Sequence, residues 1–228
     1  MNIIVISPHP DDAEYACGAT IKKLVEAGHD VRILVINNAG NLTMKHSGET
    51  ITMEDRYSEQ MEACKELGCH FNSLNCPDEF HASKFDEVPM SRAVYLLDDY
   101  FTKFPPDTVL IPYPSYNQDH QYVYKAAMAA LRPNVYPKVS VMCYEQPLDY
   151  HTGESLEGYT YYVPVLRLHA IAKQKALAAH ESQLAGRFAN NLLSEQAVDA
   201  QLRYRGLQCG SNFAECFKPI RVNYETLF

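Results

Sequence analysis

His9, Asp11 and Asp12 stand together directly behind the apolar run Ile3-Ile4-Val5-Ile6, framed by Pro8 and Pro10 and followed by Glu14. An imidazole with adjacent carboxylates suits two kinds of chemistry: ligation of a divalent metal and general acid–base transfer of a proton. The prolines restrict the backbone, so these side chains hold fixed directions before any ligand arrives. A second polar cluster, Ser115-Tyr116-Asn117-Gln118-Asp119-His120, follows another apolar run from Thr108 to Tyr113, with Pro114 between them. If the two runs are neighbouring parallel strands, their C-terminal ends share one sheet edge, the usual ligand crevice of open α/β sheets. His9, Asp12 and His120 then meet as two imidazoles and one carboxylate. Three such ligands with an open position are the pattern of a catalytic zinc, and Asp11, aimed differently from Asp12, is free to act as a general base. Each cluster also has a plainer explanation, because aspartate is a good helix N-cap and a solvated turn would use the same residues.

The elements that must position these clusters follow from periodicity. Cys17, Ile21, Leu24 and Val25 recur at helical spacing before Gly28, and Val31 to Ile36 reads as a second strand. Thr52 with Asp55 is a capping signature for a helix marked by Tyr57, Met61, Cys64 and Leu67 and ended by Gly68. A weaker strand lies near His70 to Leu74. Ser91 opens a helix with the stripe Val94, Leu97, Phe101 and Phe104, which stops at Pro105 and Pro106. The second polar cluster opens a helix to about Leu131, and Val139 to Tyr144 is a further strand. This alternation predicts a Rossmann-like, doubly wound, mostly parallel α/β sheet with helices on both faces. After Gln146 a C-terminal α+β extension is expected, with an edge strand over 159–165, helices over 168–183 and 194–207, and a mixed tail after Gly210. The whole chain, 1–228, reads as one domain, with 1–146 as the core and 147–228 packed on it. The loops Asn37 to Thr50 and Asn75 to Pro89, with the C-terminal part, are expected to carry specificity, the first loop bordering the crevice.

A net charge of −8 over 228 residues, with no basic stripe, argues against nucleic acid and anionic membrane and favours a small polar substrate. No apolar segment approaches the roughly 20 residues of a membrane span, and a strand starts at once, so a cytoplasmic location is expected. The seven cysteines include no Cys-x-x-Cys pair, which argues for reduced thiols and against a thiolate zinc site. Sixteen tyrosines and no tryptophan fit wet, carbohydrate-like binding surfaces. No Gly-x-Gly-x-x-Gly follows the first strand, which disfavours a nicotinamide cofactor.

Pro8-His9-Pro10-Asp11-Asp12 with Glu14 resembles the signature of the PIG-L/LmbE-like zinc-dependent N-deacetylases, which act on N-acetylglucosamine-type sugars. Asn117-Gln118-Asp119-His120 is similar to that family's second motif, His-x-Asp-His. Arg56 with Glu59, the segment His180-Glu181-Ser182-Gln183, and Ala214-Glu215-Cys216-Phe217 extend the resemblance over most of the chain. It implies zinc, with Fe2+ as another candidate divalent ion, on His9, Asp12 and His120, and Asp11 as the base that deprotonates the attacking water. It further implies substrate contacts from Arg56 and Asp119, acetate and an amino sugar as products, and assembly as a homo-oligomer. The chain departs from the pattern at Asn117, which stands where the family's imidazole near the oxyanion would be. An asparagine amide donates a hydrogen bond but carries no charge or proton. Asn117 itself therefore acts as a neutral catalytic donor, or His180, with His151 behind it, replaces the imidazole. Val163-Pro164-Val165 also offers no carboxylate where many relatives have an aspartate. Two competing readings are a zinc or carbohydrate binder that has lost turnover and a hydrolase of a non-sugar N-acyl amide.

Overall fold

The computed structural model describes residues 1–37, 42–43, 50–74, 81, 84–146, 158–184 and 194–228. The strands are β1 (Asn2–Ser7), β2 (Asp30–Val35), β3 (Leu42–Thr43), β4 (Thr50–Ile51), β5 (His70–Ser73), β6 (Thr108–Ile111), β7 (Ser140–Tyr144), β8 (Tyr161–Pro164) and β9 (Ala214–Arg221). Seven of them form one sheet in the order β5-β2-β1-β6-β7-β9-β8, and β3 with β4 makes a small separate ribbon. The expected adjacency holds: β1 pairs in parallel with β6 in the register Ile3↔Thr108, Ile4↔Val109, Val5↔Leu110. The C-terminal ends of these two strands therefore open on the same edge.

Helices cover both faces, and the two-residue period of β1 divides the core between them. Ile3 and Val5 pack with residues of α1 (Asp12–Glu26), α2 (Met53–Leu67), α5 (Arg167–Ala178) and α7 (Glu195–Cys209). Ile4 and Ile6 face the other way, toward α3 (Met90–Lys103) and α4 (Gln118–Ala130). All four are at most 1% exposed, and fully burying such a side chain contributes about 1.5–3 kcal/mol. The capping box at α2 forms as expected, with the Asp55 amide donating to Thr52 Oγ1 at 3.1 Å and the Thr52 amide to Asp55 Oδ2 at 2.9 Å.

The structure differs from the sequence expectation in the C-terminal part. The helix expected over 168–183 is broken after Ala178, and a short α6 (Glu181–Leu184) follows His180. The Glu59 carboxylate accepts from the Ser182 amide and hydroxyl, each at 2.7 Å, and so holds α6 against α2. The tail after Gly210 contains β9, which inserts antiparallel between β7 and β8 and leaves β8 at the edge.

At its N-terminal end β9 also supports α1. That helix is interrupted at Cys17, whose backbone is non-helical at φ −140°, ψ 25°. The interruption exposes amide donors as a helix start does, and Glu215 accepts from the amides of Ala19 at 3.2 Å and Thr20 at 2.7 Å. Lys173 Nζ in turn lies 2.6 Å from Glu215 Oε1. Among the described residues, no helix is long and apolar enough to cross a membrane. Most of the two loops expected to carry specificity lies outside the described residues.

Candidate metal centre

The turn that leaves β1 is folded by Ser7, whose hydroxyl donates to the His9 carbonyl at 2.7 Å and accepts from the Ala13 amide at 3.1 Å. Asp11 then adopts φ 95°, and among the described residues it is the only non-glycine with positive φ. Aspartate tolerates this region better than most residues, but the conformation still costs roughly 1 kcal/mol and is held by its surroundings. Its effect is directional. Asp11 Oδ2 lies 3.8 Å from Arg56 Nη2, whereas Asp12 Oδ2 lies 3.4 Å from His9 Nδ1 and 3.2 Å from His120 Nε2.

One ligand atom each from His9, Asp12 and His120 falls within a cluster whose members lie within 4.8 Å of one another. The tautomers follow from the partners. His9 Nε2 donates to Asp119 Oδ2 at 2.8 Å, and its Nδ1 faces Asp12 Oδ2 at 3.4 Å. His120 Nδ1 faces the Ser115 hydroxyl at 3.3 Å, which leaves Nε2 for the centre. Two imidazole nitrogens and a carboxylate oxygen, with an imidazole steadied by a further carboxylate, are a donor set that fits a divalent cation. Burial opposes charge on Asp12, yet His120 and His9 beside it hold its carboxyl well below the usual range. Burial likewise opposes charge on His9, and its bonds to Asp119 and Asp12 overcome this and raise it above its ordinary value.

The other residues singled out from sequence take varied places. Asp119, expected at the substrate, is 1% exposed and spends its carboxylate on His9 and on the Phe85 amide, at 3.1 Å from Oδ1. Arg56, also expected at the substrate, is 2% exposed. It donates to the Pro10 carbonyl at 2.5 Å, to Glu59 Oε2 at 3.2 Å and to Ser182 Oγ at 3.4 Å. Both residues face into the protein. The Arg56–Glu59 and Ser182 motifs are thus one network that braces the Asp11 turn from behind. Asn117 caps α4, its Oδ1 accepting from the Asp119 amide at 2.9 Å. His151 lies outside the described residues.

His180 is fully buried, and burial pushes its imidazole down to about 3. Among the described residues neither ring nitrogen has a hydrogen-bond partner, and Nε2 stands 3.9 Å from Glu14 Oε2. Glu14 is itself pushed up to about 7 by burial. These shifts act oppositely on stability. The unfolded chain binds more protons at His180 between about 3 and 6.5, so that contribution grows as pH rises through this window. Folded Glu14 binds more protons between 4.5 and about 7, so its contribution falls as pH rises there. His180→Gln should remove the first effect alone. Urea titrations of the metal-free protein should show the variant gaining on wild type as pH falls below 6.5, by up to about 1.4 kcal/mol per pH unit. A stability difference independent of pH would contradict the assignment.

Several site residues were missed from sequence, notably Phe85, whose ring lies 5.3 Å from that of His9, and Gln146, whose amide donates to Asp12 Oδ1 at 2.8 Å. Gln146 follows the end of β7 and so shares the sheet-edge address of the two recognised clusters, which was the available signal.

The chain is similar to known proteins in sequence and in fold. Residues 4–131 match the family described as PIG-L, GlcNAc-PI de-N-acetylase. The chain is 32% identical over 137 residues to an uncharacterized deacetylase, YaiS, of Escherichia coli (strain K12), covering 57% of this chain and 68% of that protein. It is 27% identical over 195 residues to a diacetylchitobiose deacetylase of Thermococcus kodakarensis, covering 79% and 69% respectively. Among solved structures, the N,N'-diacetylchitobiose deacetylase of Pyrococcus horikoshii superposes with a TM-score of 0.75 at 22% identity, over 96% of this chain and 83% of that one. With the family match spanning more than half of its residues and the first and second motifs gathered on one sheet edge, the chain belongs to the PIG-L family of de-N-acetylases.

Proposed function

We propose that this chain is a metal-dependent hydrolase that removes the N-acetyl group from an N-acetylglucosamine-type sugar or glycoconjugate, releasing acetate and an amino sugar. The observation that carries this reading is the convergence of His9, Asp12 and His120 beside a carboxylate, Asp11, that is directed elsewhere. The family and the named deacetylase relatives support the reaction class. A divalent cation such as zinc supplies Lewis-acid polarisation of a carbonyl and lowers the pKa of water when bound in such a site. The chain's own residues do the rest. Asp11 takes a proton from the attacking water and returns it to the nitrogen as the amide C–N bond breaks. The tetrahedral oxygen needs a hydrogen-bond donor as well. Between the two candidates within the described residues, Asn117 is favoured, because its Oδ1 is committed to the Asp119 amide and its NH2 group is left to donate. His180 is neutral and buried beside Glu14, away from the surface.

The test is acetate release from a panel of N-acetylglucosamine derivatives by the zinc-loaded protein, before and after removal of the metal by a chelator. Release that is lost on chelation and restored by zinc is the expected result. No release from any sugar while zinc remains bound would turn attention to non-sugar N-acyl amides. Arg56 adds a prediction of its own. Arg56→Lys retains charge but loses the planar fork that holds the Pro10 carbonyl and faces Asp11. Because small misplacement of a reacting group can cost roughly 10²-fold, kcat should fall by about that factor with KM nearly unchanged. A rise in KM alone would instead mark Arg56 as a substrate contact.

A further inference from the structure

We infer that Gln146 is a positioning residue for the cation site and that the buried Glu145–Arg205 pair holds it in place. The inference rests on the metal-dependent reading above. Asp12 has two carboxylate oxygens, and a carboxylate can meet a cation through one or both. Gln146 Nε2 occupies Oδ1 at 2.8 Å, leaving Oδ2 as the oxygen toward His9 and His120. The orientation of the amide is fixed by chemistry, since its carbonyl end would repel an ionised carboxylate. Gln146 is 3% exposed, and among the described residues its Oε1 has no hydrogen-bond partner.

Two contacts fix the backbone that carries it. The Tyr144 hydroxyl donates to the Ile6 carbonyl at 2.8 Å, tying the end of β7 to the end of β1. Arg205, on α7, then grips the Glu145 carboxylate with two nitrogens, Nε to Oε2 at 2.8 Å and Nη2 to Oε1. Its Nη1 donates to Gln208 at 2.6 Å. Glu145 and Arg205 are both at most 5% exposed. A buried, two-pronged pair of this kind is geometrically demanding, and here it sets the direction in which the next residue, Gln146, leaves the strand. A helix of the C-terminal part thereby controls a ligand on the first turn of α1.

The measurement is zinc affinity by competition with a chromophoric chelator, with the thermal midpoint of the metal-free protein recorded alongside. Gln146→Met preserves length and loses the donor, and should weaken zinc about 10- to 100-fold, the usual effect of removing a residue that orients a ligand, with little change in the midpoint. Arg205→Lys, which keeps charge but loses the fork, should give a smaller loss of the same sign. Cobalt in place of zinc supplies a second readout, because freeing Asp12 Oδ1 to join the cation should shift the visible bands in Gln146→Met. Unchanged affinity and unchanged bands in Gln146→Met would overturn the inference while leaving the metal site intact. Failure of the wild-type protein to bind zinc or cobalt would overturn the metal reading itself, and the inference with it.

Discussion

Asp11→Asn is expected to lower kcat for acetate release by about 10²- to 10⁴-fold, the usual contribution of a positioned general base, with zinc affinity within about twofold of wild type. The argument is geometric. Asp11 shares its turn with the ligand cluster but is not part of it, and its carboxylate faces Arg56 at 3.8 Å. Asparagine is the informative substitution because it tolerates the left-handed backbone at φ 95°. Alanine at this position would add backbone strain to the loss of the base and blur the result. An amide cannot take a proton from water at neutral pH, so the effect should fall on kcat rather than on substrate binding. Kinetics and zinc competition on the same preparation check both halves. Turnover that survives in Asp11→Asn would mean that another group carries the proton, and a collapse of zinc affinity would mean that Asp11 helps to build the site.

Lys173→Met should destabilise the protein by about 3–5 kcal/mol, the range observed when one partner of a buried ion pair is removed. Lys173 and its partner Glu215 are both at most 2% exposed. Without the ammonium, Glu215 keeps the Ala19 and Thr20 amides but becomes an uncompensated buried charge. Such a loss is a large fraction of the 5–15 kcal/mol that typically holds a domain folded. Urea unfolding at neutral pH gives the number. The double variant Lys173→Met with Glu215→Gln should recover much of the loss, since a neutral amide side chain still accepts one backbone hydrogen bond. If the double variant were as unstable as the single one, packing around Lys173 rather than its charge would be responsible. The consequence reaches the site, because the pair sustains the break at Cys17 that sets the course of α1, and Asp12 is the first residue of that helix.

The features legible in the sequence are those in which cause and effect lie close together along the chain. Ile3 to Ile6 announce a strand buried on both faces because consecutive side chains alternate across a sheet. The α2 start is legible because Thr52 and Asp55 satisfy each other's amides within one turn. The cluster of His9, Asp12 and His120 could be assembled because parallel strands carry whatever follows them to a common edge, whatever the length of chain between. Where the sequence reading stopped was at residues whose partners come from distant parts of the chain. Arg56 and Asp119 looked like substrate contacts, since a charged residue near a motif carries no mark of the direction it faces. Only the fold brings Pro10 to the first and His9 to the second. Gln146 became visible at Asp12 across 134 positions, and Glu215 at α1 across 195. The sequence by itself determined the parallel core and the meeting of His9, Asp12 and His120 on one edge, because periodicity and residue type are local properties. Tertiary structure alone decided the insertion of β9, the inward bracing of the Asp11 turn and the grip on Asp12, because burial is a property of the assembled chain.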